Sequence, residues 1–542
     1  MCGIIILFGT AVTKEMLDTA IAKLQARGPS EQRTEIIGDG LMLGFARLHI
    51  QGAAGPEQPF AMENGQYVMV NGEIFNSEIL KATLGLTTPD GSSDCAVIPA
   101  LLKKGMPLAE VARQLDGDFA AVVVNRETLR ATRDPYGVRP LFYGEGAGWR
   151  GVASEMKAFP PGATTIIALE PGQVYEWSIT AHGSPGPSTW HQPPWLKTPY
   201  WRSSLEGLSA AGSALAHALE EAVAKRLATV REVGASLSGG LDSSIVAAIA
   251  ARRLARVGRR LHTYSIGMEG SPDLAAARVV AAHIGSQHHE RVVTAAECLA
   301  VIPEVVAAIE SFDITTVRAS VGNYLVGRLV ATETPAVKVV LNGDGADEVL
   351  GGYLYMRAAP DDAAFEAETD RLLKEIHRYD VLRSERSMAA HGLESRSPFL
   401  DRQFVSVARS LPTDALRPTA TMMEKSILRT AFAESGLLPS AILWRRKEAF
   451  SDGISRAENS WFEMAKAEGG RIAAGSGSWA DAAAAYKVNP PPTAEALWYR
   501  RLFHESLPDA AAEAAAPAMW MPRFIAGATD PSARTLALYT EP

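Results

Sequence analysis

Near residue 190 the hydrophobic pattern of this chain changes period, and that change limits the possible fold more than any single motif does. Up to about residue 180 the sequence runs in short extended stretches broken by turn residues, among them IIILFGT, LMLGFARLHI, QYVMVNGEIFN, DFAAVVVNRETLRATR and TTIIALEPGQVYEW. Apolar runs of this length, bounded by Gly, Pro, Asn and Asp, mark strands. Helical stretches are expected only near MLDTAIAKLQA and DCAVIPALLKKG. From about residue 206 apolar strands alternate with amphipathic helices: ASLSGG before LDSSIVAAIAARRL, LHTYSIGM before DLAAARVVAAHIG, and then VKVVLNGDGADEV. That alternation predicts a parallel α/β sheet. Between the two patterns lies AHGSPGPSTWHQPPWLKTPYW, residues 181–201, rich in Pro, Gly and Ser and without periodicity, the composition of a connector. Beyond about residue 360 helical segments such as FEAETDRLLKEIHRYDVL take over, and the Ala-rich DAAAEAAAPA near residue 510 is expected to be a surface loop.

A length of 542 residues exceeds one ordinary core. The pattern places a first domain at 2–185, a connector at 186–205 and a second domain at 206–542. Apolar residues make up 47% and charged residues 21%, which excludes a disordered or fibrous chain. Lys plus Arg number 53 against 61 for Asp plus Glu, a net charge of −8, and no basic run tracks a phosphate backbone, so nucleic acid is not expected as a partner. No apolar stretch reaches the roughly 18 residues of a membrane span, and the start MCGIIILFGTAV lacks a basic export region. Three scattered cysteines, Cys2, Cys95 and Cys298, form neither a disulfide framework nor a zinc motif, so a reducing, cytoplasmic setting is expected.

Cys2 follows the initiator Met. Removal of Met1 would leave a thiol and an α-amine on one residue, and an amine titrating near pH 8 can take the thiol proton. NGEIFN at 71–76 supplies Asn71 and the Gly72 N–H, donors suited to a tetrahedral oxyanion. Arg47 could hold an α-carboxylate and Asp94 an α-ammonium. Each has an ordinary alternative: a hairpin turn at Asn71-Gly72, a surface ion pair at Arg47, a helix cap at Asp94.

SGGLDSS at 238–244 sits where a strand ends and a helix begins, so its backbone N–H groups and the Ser238, Ser243 and Ser244 hydroxyls can meet phosphate. There is no Walker pattern. Asp347 in NGDGADEVLGG is a carboxylate after a strand and a glycine loop, a pattern that an acidic, solvated turn also shows. Lys447 in RRKEAFSDG could neutralise charge on a leaving pyrophosphate. TTVRAS (Thr315, Thr316, Arg318), GLESRSPFLD (Glu394, Arg396, Asp401) and MEKSILR (Glu424, Lys425, Arg429) add groups for an acidic substrate, although structural ion pairs account for them almost as well.

With MCGI, RGP, RDPYGVRPL and ASEMKA in this order, residues 2–160 resemble the glutaminase domain of class II amidotransferases, the N-terminal-nucleophile type. The resemblance implies an αββα sandwich, a glutamyl thioester on Cys2, an oxyanion hole at Asn71 and Gly72, and glutamine held by Arg47, Leu48, Glu73 and Asp94. SGGLDSS resembles the pyrophosphate loop of ATP pyrophosphatases, which implies a Rossmann-like parallel sheet with added helices. ATP would then lie against Ser236, Ser238, Gly239, Gly240, Asp242, Ser243, Ser244, Ile266, Asn342 and Gly343, with Mg2+ on Asp242 and Asp347. SIGMEGSPD, DITTVRAS, GGYLY, ILWRRKEAFSDG, ALWYRRLFHESLP and DPSARTL extend the likeness, so that nearly the whole chain is similar to glutamine-hydrolysing asparagine synthetases. That family forms a β-aspartyl adenylate and passes ammonia through an internal tunnel. By the same resemblance Thr315, Thr316 and Arg318 bind aspartate, Asp344 and Lys447 act in catalysis, and a homodimer is expected.

Five positions depart from the family pattern: Ser30 for Asp, Ser92 for Gly, Ser236 for Leu, Asn342 for Ser and Asp344 for Glu. Asp344 is one methylene short, and an ångström of displacement can cost roughly 100-fold in a positioned reaction. Two further readings follow: amidation of a different carboxylate by the same adenylation, and a regulatory paralogue that binds without turnover.

Overall fold

The computed structural model describes residues 1–535 apart from Asp39, Pro56, 181–185, 191–196, 198, 199, Arg202, Ala449, Ala457, Asn459 and 475–477, and apart from the side chains of Phe450, Ser451 and Arg534. Its described strands form three sheets, because the extended runs of the first half pair antiparallel and those of the second pair parallel.

In the first half, β1 (Gly3–Phe8), β2 (Glu31–Gly38), β3 (Leu41–Arg47), β8 (Phe142–Gly146), β9 (Trp149–Ala153) and β10 (Ala163–Ala168) lie in the order β10-β8-β9-β1-β3-β2. A second sheet has the order β12-β11-β7-β6-β5-β4, from β4 (Phe60–Ala61), β5 (Tyr67–Ile74), β6 (Gly117–Val124), β7 (Thr128–Arg133), β11 (Gln173–Ser178) and β12 (Gly186–Thr189). Side chains alternate between faces of a strand. Ile4, Ile6 and Phe8 of β1 therefore share a core with Met69 of β5 and Val122 of β6, between the sheets. On the outer faces Ile5 and Leu7 pack on Leu17 and Ile21 of α1 (Lys14–Lys23), and Val68 and Val70 pack on helices at Ser77–Leu84 and Val97–Lys103. The result is the expected αββα sandwich. Strand β12 runs four residues into the stretch read as a connector, pairing with β11, while 181–185 and most of 191–199 lie outside the described residues.

After α2 (Leu205–Arg226) comes the parallel sheet, of order β15-β14-β13-β16-β17. Its strands are β13 (Glu232–Ser236), β14 (His262–Gly267), β15 (Gln287–Val292), β16 (Val337–Leu341) and β17 (Glu394–Arg396), and α3 (Leu241–Ala255), α4 (Pro272–Ile284) and α5 (Ile314–Glu333) belong to its crossovers. The order reverses between β13 and β16, and in such sheets ligands bind beyond the carboxyl ends of the strands at that reversal. Both loops singled out in the sequence, 238–244 and 342–347, leave the sheet there.

One expectation fails. The Ala-rich stretch near 510 is a helix, α7 (Ala510–Ala515), with Ala511 and Ala512 buried, and it packs on β10 of the first half. Alanine has the highest helix propensity, and its small side chain lets a helix lie close to a strand. Asp509 fastens it, accepting from the N–H groups of Gly162 (3.1 Å) and Ala163 (3.3 Å). Among the described residues no helix is long and apolar enough to cross a membrane.

Candidate active sites

The first site lies where the start of β1 crosses to β5. Cys2 N–H donates to Asn71 Oδ1 at 2.8 Å, from one sheet to the other. That bond uses the amide oxygen and leaves Asn71 Nδ2 buried without a partner. Gly72 beside it has φ +154, and a Cβ there would come within 2.1 Å of Asp118 O on β6, so the close approach of the strands admits only glycine. Asp94 accepts the Ile74 N–H on Oδ2, while its Oδ1 is buried and unpartnered, as are the hydroxyls of Ser92 and Ser93. Burial pushes the Asp94 carboxyl up to about 7, against the Ile74 N–H and Arg396. Glu73 is also pushed up, by burial and then by Asp94, with Arg396 at 3.1 Å opposing.

Arg47 reaches the same region but spends its donors on a loop, on the carbonyls of Gly55, Gln51 (3.0 Å) and Ala53 (3.1 Å) and on Glu57 (3.4 Å). Leu48 is buried, and its backbone N–H favours the Cys2 thiolate, although burial dominates and raises the thiol pKa. Ser30, where the family has Asp, accepts the His49 N–H at 3.1 Å. Met1 is buried in the seam, its sulfur accepting from Arg139 at 2.9 Å, and burial pushes its amine down to about 5.

The second site is a cavity of about 220 Å3 at the sheet reversal. Ser236, Ser238, Gly240, Asp242, Ser243, Ile266, Thr315, Arg318, Asn342, Gly343, Asp344, Asp347 and Lys447 all line it. A Cβ on Gly343 would come within 2.8 Å of both Asp242 Cβ and Ser243 N, so this glycine lets the two loops touch. Ser238 and Ser243 hydroxyls lie 3.0 Å apart, and α3 begins at Gly240 with no side-chain cap, leaving the helix N-terminus open to an anion. Lys425 bridges Asp242 (2.6 Å) and Asp347 (2.7 Å), and Lys447 also pairs with Asp347. Burial alone would raise Asp347, but the two lysines outweigh it and hold the carboxyl far below its usual range.

Asp344 pairs with Arg383 at 3.2 Å, and its Oδ2 is buried without a partner. Burial raises its pKa, against Arg383. Asn342 donates to Ser395 Oγ (2.8 Å) and accepts from Ser397 Oγ (2.8 Å) and the Asp344 N–H (3.2 Å), which ties this loop to β17. From β17, Arg396 reaches back to Glu73, so a buried polar chain joins the two sites.

Six residues expected in the site stand outside the cavity lining: Gly239, Ser244, Thr316, Glu394, Arg396 and Asp401. Gly239 packs against α4, Ser244 is fully buried, and the Thr316 hydroxyl donates to Asp313 at 2.6 Å as part of the α5 cap. Thr315 lines the cavity with its hydroxyl unpartnered. Arg318 lines it too, yet it is clamped by Glu495 (2.9 and 2.6 Å) and Asp530 (2.8 and 3.0 Å). Arg429–Glu424 and Arg226–Asp401 are buried ion pairs. Sequence reasoning missed Asp380 and Arg383, which look like an ordinary i,i+3 surface pair; no motif marks them.

Comparisons with known proteins match the chain to two families. Residues 1–192 match the family model of a glutamine amidotransferase domain, and 214–367 and 358–523 match that of asparagine synthase. The chain is 39% identical to the glutamine-hydrolysing asparagine synthetase of Gallus gallus, and 38% identical to those of Bos taurus and Homo sapiens. In each case 99% of both chains is covered.

Proposed function

The chain belongs to the family of glutamine-hydrolysing asparagine synthetases, and from that premise we propose that Cys2 releases ammonia and the pyrophosphate-loop cavity consumes it. The enzyme is a ligase that makes asparagine and glutamate from aspartate and glutamine at the expense of ATP. The observation that carries the division of labour is that each site keeps buried polar atoms unspent: Asn71 Nδ2 and Asp94 Oδ1 beside Cys2, Thr315 Oγ1 and Asp344 Oδ2 in the cavity.

Once Met1 is removed, the Cys2 amine takes the thiol proton and Sγ attacks the side-chain carbonyl of glutamine. Asn71 Nδ2 and the Gly72 N–H stabilise the oxyanion. Collapse breaks the C–N bond, the amine returns its proton to the departing ammonia, and water later frees glutamate from the thioester. Asp94 Oδ1 receives the α-ammonium of glutamine. Arg47 takes the α-carboxylate by exchanging loop carbonyls for it, and Leu48 and Glu73 complete the wall.

In the cavity a β-carboxylate oxygen of aspartate attacks the α-phosphorus of ATP and pyrophosphate leaves toward Ser238, Ser243 and the start of α3. Lys447 balances the charge of the leaving group. Ammonia then attacks the acyl carbon, AMP departs, and Asp344, held above the usual carboxylate range, accepts the proton that the nitrogen loses. Asp242 and Asp347 fit magnesium: both are hard carboxylates, and Asp242 Oδ1 is buried without a partner. Magnesium there would supply neutralisation of phosphate charge. A cytoplasmic homodimer completes the reading, supported by three free cysteines and by the family pattern.

The test is pyrophosphate release with ATP, magnesium and glutamine, with and without aspartate, while asparagine is followed by mass spectrometry on protein whose N-terminus has been sequenced. Aspartate-dependent pyrophosphate matched by asparagine is expected. Glutamate release with neither product would overturn the assignment of the cavity.

A further inference from the structure

A second cavity, of about 240 Å3, lies in the seam between the halves and shares no lining residue with the pyrophosphate-loop cavity. Its walls are mostly apolar: Val138, Phe142 and Ile166 from the first half, Leu382, Ala515 and Pro517 from the second. Arg133 and His377 line it as well, and they approach the same turn, since a Cβ on Gly137 would come within 2.8 Å of Arg133 Nη2 and 2.9 Å of His377 Cβ.

These two polar groups are unspent in a way their neighbours are not. His377 is only 7% exposed, and its ring nitrogens meet no side-chain partner, the backbone of Lys374 being the one group that reaches the ring. Arg133 gives its N–H groups to the carbonyls of Arg139 (2.7 Å), Leu169 (2.6 Å) and Gly137 (2.6 Å), which uses three of the five donors of a guanidinium. Among the described residues it has no carboxylate partner, and burial pushes its pKa down to about 10. The other charges on the wall are matched: Arg378 with Glu170 and Arg386 with Glu310, both at 2.7 Å, and Glu385 with Arg27. A buried cation with no carboxylate in ion-pair contact, an imidazole with a ring nitrogen to spare and an apolar wall suit one class of ligand, a carboxylate on a short apolar chain.

The location gives such a ligand leverage. Helix α6 (Asp380–Ala389) divides the two cavities, with Asp380 and Arg383 on the pyrophosphate-loop cavity and Leu382, Glu385 and Arg386 on this one. Glu385 holds Arg27, and Arg27 Nε donates to the Cys2 carbonyl at 3.0 Å.

We propose that this interdomain cavity is an effector site for a small monocarboxylic acid with an apolar chain, seated on Arg133 and His377, and that its occupancy changes how closely glutamine hydrolysis is tied to asparagine formation. The probe is hexanoate, titrated calorimetrically into the full-length enzyme, with hexan-1-ol as the uncharged control. Saturable binding of one hexanoate per chain is expected, roughly tenfold or more tighter than hexan-1-ol, and unaffected by saturating glutamine or aspartate. Ala515→Trp should abolish it by filling the cavity, and His377→Leu should weaken it roughly tenfold. The ratio of glutamate to asparagine produced should shift at saturating hexanoate in the wild-type enzyme and stay constant in Ala515→Trp.

Should either variant misfold, hydrogen exchange on the wild-type chain replaces it: hexanoate should slow exchange in 137–142 and 377–389. Absence of saturable binding, equal binding of hexan-1-ol, displacement by glutamine or aspartate, or unchanged exchange in those segments overturns the site. Binding without any change in the product ratio overturns the effector role.

Discussion

Beside Cys2, Asn71 Nδ2 and Asp94 Oδ1 are buried without partners, whereas in the pyrophosphate-loop cavity Asp347 already holds two lysines, Asp344 an arginine, and Arg318 two carboxylates. The contrast follows from what each site must take in. Glutamine is a zwitterion, so a few fixed neutral donors and one carboxylate can wait for it at modest cost. ATP brings several negative charges, and the cations needed to meet them would repel one another if left unmatched in a buried cavity. In the first site only Arg47 must give up internal partners for its substrate, whereas in the second most of the charged groups exchange internal ion pairs for substrate ones.

The sharpest way to separate them is Cys2→Ala. Glutamine-dependent asparagine formation should fall by roughly 10,000-fold or more, as when a nucleophile is removed. Ammonium-dependent formation should stay near the wild-type rate, because the cavity shares no residue with Cys2. Loss of both activities would mean that the sites are not separable. Next in size, Lys447→Met should lower pyrophosphate release by roughly 100- to 1,000-fold and leave glutamate release from glutamine intact. It also tests the exchange of ion pairs, since Lys425 would still hold Asp347.

Asp344→Asn keeps the shape of the side chain and removes its charge, and asparagine formation should drop by roughly 100-fold. Asp344→Glu restores the family residue and should stay within about tenfold of wild type. A Glu variant as poor as the Asn variant would show that Arg383, already drawn in to Asp344 at 3.2 Å, has settled the position of the shorter acid.

How much of this was legible differs between the two sites for the same reason. The places of Asn71 and Gly72 on a strand and of SGGLDSS at a strand-to-helix turn are legible because their geometry is set locally, whereas the roles assigned to them and to Cys2 come from the family resemblance. The ring of matched charges was not legible. Asp380 and Arg383, or Arg318 with Glu495 and Asp530, come together from segments far apart in the chain, and each alone has the pattern of a solvated residue. His377 carries no signal either, since one histidine in a helical run is unremarkable until its ring proves buried and without a side-chain partner. The misjudged stretch, 510–515, lacks large apolar residues, so its periodicity was faint although its helix propensity is high.

A smaller effect sharpens the electrostatics of the first site. Asp94, pushed up to about 7 by burial, is mostly protonated at pH 6 and mostly ionised at pH 8. Only the ionised form attracts the α-ammonium, so the KM for glutamine should fall by roughly tenfold across that interval. Glu394 raises Asp94 further toward neutrality and Arg396 opposes it, so Arg396→Met should move the KM transition to higher pH. A flat KM profile would remove Asp94 from ammonium binding.

The smallest effect bears on whether the two sites are joined at all. Asn342 belongs to the second site, yet its amide forks onto Ser395 and Ser397, and the neighbour of Ser395, Arg396, pairs with Glu73 of the first. Asn342→Ser restores the family residue and loses at least one of these bonds, because a side chain one heavy atom shorter puts a single oxygen where the amide spread its contacts over two separated atoms. At about 1 kcal/mol for one such bond, the KM for ATP should rise roughly fivefold with kcat little changed. If the buried chain transmits the slack, the KM for glutamine should move with it, by less than the KM for ATP. If only the ATP constant moves, β17 isolates the sites, and communication must run instead through α6 and Arg27, the path that the interdomain cavity commands.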